Sequence, residues 1–125
     1  MKRINIKPSK TSPQVSFDVT NGSLLLKGRS LLNNAHDFYQ PIYTALDEVT
    51  NFTKQLNVDF MMDYYNTSST KCIFQIFKKL GVLKNNDYDV NVNWYYQKDD
   101  LDHIEIGEDF ESILDMRFNF IVTTT

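Results

Sequence analysis

Thr67, Ser68, Ser69 and Thr70 form a run of four hydroxyl side chains. Such a run has three chemical uses. A hydroxyl can cap a helix by accepting a backbone N–H. It can receive a phosphoryl group from a protein kinase, which adds close to two negative charges. It can attack an electrophile, provided a base and an orienting acid stand beside it. Upstream of the run, Val58, Phe60, Met62 and Tyr64 fall at strand spacing, and downstream Ile73, Ile76, Phe77 and Leu80 share one helical face. The run therefore marks a strand-to-helix corner. A phosphoryl group there would meet unpaired N–H groups and the positive end of the helix. On the residues alone a plain cap or turn is the commoner use of such a run, and phosphorylation is its competitor. The nucleophile reading is the weakest. The two histidines, His36 and His103, are remote in sequence, and there is no Gly-x-Ser-x-Gly elbow or glycine-rich phosphate loop. Cys72 has no histidine near it in sequence and reads as a small core residue.

Composition narrows the classes further. A chain of 125 residues with 42% hydrophobic content fits one domain, residues 1–125, with one core. The net charge of −3 offers no basic footprint for nucleic acid. One cysteine and two isolated histidines exclude an internal disulfide and give no metal-ligand spacing. The acidic stretch Asp99-Asp100-Leu101-Asp102 lacks the glycine and distal glutamate of a calcium loop, and reads as a helix start. No cofactor is expected. No segment approaches the apolar length of a membrane span and no signal peptide is visible, so the expected setting is cytoplasmic, without membrane insertion.

The elements that must hold the corner follow from the pattern. Residues 1–14, with Pro8 and Pro13, read as a loosely ordered arm. Val15–Val19 alternates as a strand, Asn21-Gly22 signals a hairpin, and Leu24–Gly28 returns. A first helix starts near Asp37 or Phe38, because Pro41 is cheap only in a first turn. It presents Phe38, Ile42, Ala45, Leu46, Val49 and Phe52. A third strand spans about 57–65 and a second helix about 69–83. Asp89–Tyr96 alternates clearly, Asp99 or Asp100 caps a third helix containing Gly107, and residues 117–122 close the chain as a strand. Helices between strands imply parallel crossovers. The strands alternate instead of running apolar throughout, so they are wet on one side. The expected fold is α/β: a single mixed sheet, β-β-α-β-α-β-α-β along the chain, with helices packed mainly on one face.

Several blocks in order resemble the SiaC family of regulatory phosphoproteins, relatives in fold of the anti-sigma-factor-antagonist (STAS) domains. They are Ser12-Pro13, Phe17-Asp18, Gly28-Arg29-Ser30, Tyr65-Asn66-Thr67-Ser68-Ser69 with Lys71, Val92–Tyr96 and Gly107–Phe110. The chain departs from the family pattern in the loop at 31–36 and at Pro41. The resemblance implies a non-enzymatic partner switch. A Ser/Thr kinase phosphorylates the protein, a PP2C-type phosphatase reverses this, and the unmodified form binds and activates a target such as a GGDEF diguanylate cyclase in cyclic di-GMP and biofilm signalling. It places the acceptor on Thr67, with Ser68 as second choice by the STAS pattern. Asn66, Ser68, Ser69 and Lys71 then support the phosphosite. Tyr65, Asn34, Glu108 and Asp109 are candidate partner-surface residues. A constitutive protein-binding scaffold and, least favoured, a small hydrolase using Thr67–Thr70 are the alternatives.

Overall fold

Arg3–Ile6 forms an edge strand, β1, in the computed structural model, which describes residues 3–123. This corrects the expectation of a loose arm over 1–14. Ile4 and Ile6 lie opposite Phe17 and Val15 of the second strand, so their apolar face extends the core, while Arg3 pairs with Asp18 at 3.1 Å. Positions 1 and 2 of that arm lie outside the described residues. The remaining strands and α-helices are β2 (Gln14–Asp18), β3 (Ser23–Ser30), α1 (Ala35–Glu48), β4 (Gln55–Tyr65), α2 (Thr67–Asn85), β5 (Asp89–Gln97), α3 (Leu101–Leu114) and β6 (Asn119–Thr123). Gly22 makes the β2–β3 turn at φ +69, and a Cβ there would fall 2.1 Å from the carbonyl oxygen of Gln55.

The six strands are ordered β1-β2-β3-β4-β5-β6, antiparallel up to β3 and parallel from there on. Three right-handed crossovers that all advance in one direction must put their helices on one face. That face buries Leu24, Leu26, Val58, Phe60, Val92 and Trp94. The mixed sheet with one-sided helices is as expected. The other face is polar, and its amides are tied in rows. Asn119 donates to Asn93 (3.1 Å), Asn93 to Asp59 (2.9 Å), and Asn91 to Asn57 (3.2 Å).

α1 begins at Ala35, two to three residues before the expected start, so Pro41 falls in its second turn. Burial of Ala35, Tyr39, Ile42, Tyr43, Ala45 and Leu46 offsets the hydrogen bond that the proline removes. Phe52, expected on the apolar face, lies beyond the helix and is 46% exposed. Gly107 allows α3 to press on the sheet: a Cβ would come within 2.9 Å of Trp94 and 2.8 Å of Phe120.

Candidate functional site

The corner between β4 and α2 is built from both sides. β4 carries a bulge, because Met62 pairs with Gly28 and Tyr64 with Arg29, leaving Asp63 without an opposite residue. One extra residue reverses the alternation. Tyr64 is therefore turned out, at 56% exposure, against the strand spacing that placed it inside. Tyr65 turns in instead. Its hydroxyl lies 3.3 Å from His103 Nδ1, and burial holds the phenol well above its ordinary pKa, with Asp100 adding to the shift. Tyr65 is thus partly buried, with its hydroxyl turned toward His103.

α2 starts at Thr67, two residues before the expected Ser69. The cap is Asn66, not a hydroxyl residue. Its Oδ1 accepts the Ser69 N–H at 3.0 Å, and its Nδ2 donates to the Leu32 carbonyl at 3.1 Å. The Asn66 N–H donates to the Ser30 carbonyl at 3.0 Å. Three contacts to three segments make Asn66 the pin that fixes the loop.

The four hydroxyls now separate. Ser69 is fully buried and its Oγ lies 2.6 Å from Ser30 Oγ, which also accepts from the Tyr39 hydroxyl at 2.9 Å. Burial pushes the Tyr39 phenol up to about 12, although the Ser30 bond lowers it in part. Ser69 thus belongs to a core network, and its hydroxyl is no ligand for a phosphate. Ser68 is half-buried. It donates to the Asn33 carbonyl at 3.4 Å and accepts the Ala35 N–H at 3.5 Å, so it ties α2 to the start of α1. Thr70 donates to the Asn66 carbonyl at 2.9 Å. Thr67 is exposed and its hydroxyl makes no hydrogen bond among the described residues.

Thr67 opens onto a groove of about 750 Å³ between α1 and α2. Asn34, Tyr43, Ser68, Lys71 and Gln75 share its walls, with Cys72 below. Asn34, Thr67, Ser68 and Lys71, four of the residues singled out in the sequence, are thereby brought together. Lys71 is the fifth residue of α2, one turn past Thr67; it is exposed and makes no ion pair among the described residues. Lys79 is engaged by Asp47 at 2.9 Å at the far end of the groove. His36 also lines the groove but makes no hydrogen bond to any of the hydroxyls. No base is therefore in place to activate Thr67 as a nucleophile.

Glu108 and Asp109 are not part of this constellation. They are exposed on α3, and Glu108 shares a hollow with Lys84 and Arg117. Lys84 is about 26 Å along α2 from Thr67, at 1.5 Å per residue. The feature the sequence did not yield is the pairing of Tyr65 with His103, which depends on the bulge.

A family model described as "SiaC family regulatory phosphoprotein" matches residues 6–123. An uncharacterized protein of Pseudomonas aeruginosa (strain UCBPP-PA14) is 25% identical over 98% of this chain and 96% of its own length. The fold matches SiaC of Pseudomonas aeruginosa in its crystal complex with the diguanylate cyclase SiaD, which it activates, at a TM-score of 0.89 and 21% identity over 96% of this chain and 99% of that one. It also matches apo-SiaC at 0.86 and 22% identity, over 99% of this chain and all of the other.

Proposed function

This chain belongs to the SiaC family of regulatory phosphoproteins, and we propose that it is a partner switch set by reversible phosphorylation of Thr67. One observation carries the choice of residue. Of the four hydroxyls at the corner, only that of Thr67 is exposed and unengaged. It stands at the first position of α2, where the Thr67 and Ser68 N–H groups have no partner among the described residues and no acidic side chain occupies the first turn. A phosphate there is held by the helix end, and Lys71 reaches it from the next turn. Ser68, the second choice, would have to give up its bonds to Asn33 and Ala35 to enter a kinase.

The unmodified groove is the docking surface for the target. Phosphate at its mouth adds charge and bulk and engages Lys71, and the target is released. A GGDEF diguanylate cyclase is the target class, following the family and the complex of SiaC with SiaD. A Ser/Thr kinase and a PP2C-type phosphatase write and erase the mark. The family is regulatory, and the chain acts by binding, not by catalysis.

The test is intact mass with peptide mapping on protein from its native cell, before and after PP2C-type phosphatase treatment. One phosphoryl group on the Thr67 peptide, removed by the enzyme, is expected. Unmodified protein should then capture a diguanylate cyclase that Thr67→Glu does not. Phosphate on Ser68 would transfer the role to that residue. Protein that never carries phosphate, yet binds its target equally as Thr67→Glu, would be a constitutive scaffold.

A further inference from the structure

The two edges of the sheet are built differently. β1 carries Arg3, which pairs with Asp18, and Lys7 and Pro8 follow it directly. Charge and proline at an edge stop it from pairing with another chain. β6 carries neither. Asn119–Thr123 holds no charged residue and no proline, and it pairs with β5 in register without a bulge. Its outer row of main-chain N–H and C=O groups has no backbone partner among the described residues.

The side chains of β6 sort by face. Phe120 and Val122 lie on the helix side, where Gly107 of α3 meets the Phe120 ring. Asn119, Ile121 and Thr123 lie on the polar side, where Asn119 donates to Asn93. Phe120 and Ile121 are half-buried, and Val122 is 44% exposed. Leu101, also exposed, opens α3 at the same end of the sheet.

Read backwards, Asn-Phe-Ile-Val-Thr gives the same order of kinds: polar, three apolar, polar. A second copy laid antiparallel about a two-fold axis at Ile121 therefore meets like with like. Phe120 faces Val122 of the second copy on the helix side. On the polar side Ile121 faces its own equivalent, and Asn119 faces Thr123 of the second copy. The hydrogen-bonding groups match as well. Asn119 Nδ2 gives one hydrogen to Asn93 and has a second to offer. The Thr123 hydroxyl donates to the Tyr96 carbonyl at 3.2 Å and keeps lone pairs to accept it. No like charges meet along the pairing. A slip of one residue would set Asn119 against Val122 and turn the helices of the two copies to opposite faces. Pairing of β6 with β1 of another copy would leave a free edge at each end and grow without closing, whereas the two-fold pairing closes.

We propose that β6 is a self-association edge, which pairs antiparallel with β6 of a second copy about Ile121 and makes one sheet continuous through both. α3 stands between this edge and the α1–α2 groove, so the dimer leaves the groove open in each copy and does not rest on the reading of Thr67.

The experiment is sedimentation equilibrium of the full chain from about 1 µM to about 1 mM, which spans the affinities of weak dimers. The wild type should move from monomer to dimer mass, and outward-facing β6 amides should slow their hydrogen exchange over the same range. Ile121→Lys and Ile121→Glu each place like charges opposite one another at the axis. Ile121 stands outside the buried core, so both variants should keep the wild-type circular dichroism. Each should weaken association about tenfold or more. Mixed in equal parts, they should re-form a dimer, because the axis then joins opposite charges. Asn5→Lys, on the exposed side of β1, should associate as the wild type does. A wild type that stays monomeric throughout, a dimer that neither charge weakens, a mixture that does not reassociate, or a dimer lost in Asn5→Lys would overturn the proposal.

Discussion

α2 and α3 both begin at the carboxyl end of a parallel strand, and both are capped in the same way. Asn66 Oδ1 accepts from Ser69 N at 3.0 Å, and Asp100 Oδ1 accepts from His103 N at 3.1 Å. Their electrostatics are opposite. The start of α3 carries Asp100 and Asp102, so its positive end is already compensated. The start of α2 has a neutral cap and no first-turn acid. An N-terminus left uncompensated costs a few tenths of a kcal/mol to about 1 kcal/mol of available stabilisation. The corner of α2 leaves that capacity unused, which is what the proposed phosphate at Thr67 would draw on. Position by position the two starts are buried alike: Thr67 and Leu101, the first residues, are exposed, and Ser69 and His103, the third, are buried. What differs is the side chain presented first, a hydroxyl at Thr67 and an apolar Leu101, and the charge around it.

The most decisive way to break this contrast is at the acceptor. Thr67→Ala should abolish phosphorylation by the cognate kinase on a phosphate-retarding gel, while Ser68→Ala keeps it. The reverse result would remove the special status of Thr67. Next comes an exchange of caps. Asn66→Ala should lose about 1 kcal/mol of stability in urea unfolding, as should Asp100→Ala. Asn66→Asp should retain the cap but place a charge where the phosphate must sit. It should slow modification of Thr67 several-fold, while in stability the gain from the helix end opposes the loss of the bond to the Leu32 carbonyl. If Asn66→Asp is phosphorylated at the wild-type rate, the neutral cap has no part in the switch.

A smaller effect should appear with pH at the α3 end. Burial holds the His103 imidazole below its ordinary pKa, against the partial opposition of Asp100, the Tyr95 carbonyl and Asp63. The unfolded chain therefore binds a proton before the folded one does. Stability is complete above the unfolded value near 6.5 and falls as the pH drops through it toward the lowered folded value. Urea midpoints between pH 7.5 and 5.5 should decline in the wild type and stay level in His103→Phe. The least effect belongs to Lys79→Ala. It removes a partly exposed pair with Asp47 and should change stability by no more than about 0.5 kcal/mol.

Much of this contrast is legible in the residues, for physical reasons that can be stated. Helical spacing and a run of polar capping residues mark where α2 starts, because both are local. Which residue caps it is not local. Asn66, Thr67, Ser68 and Ser69 are all good caps, and the choice falls to Asn66 because Leu32 and Ser30 hold it from across the fold. The inward turn of Tyr65 was hidden for a similar reason. A bulge belongs to two strands at once, and adjacent tyrosines give no phase with which to detect it. β1 left a fainter trace, the alternation of Ile4 and Ile6, beside prolines that read as a loose arm. The family blocks pointed to Thr67, and the geometry supplies a reason: its neighbours in the run are all engaged. Those blocks did not separate Glu108 and Asp109 from the corner, because distance along α2 is not written in the motifs.

The unbroken strand order β1-β2-β3-β4-β5-β6 has a consequence for how the chain acquires its shape. Each strand pairs with the one made just before it, so no partner waits for a later segment. The sheet can grow from one edge to the other as the polypeptide is synthesised, with each crossover helix settling on strands already in place. Sequence separations between partners stay short for a parallel sheet, which favours fast assembly. The corner at Thr67 is then completed as soon as α2 docks, before β5 is needed to close anything around it.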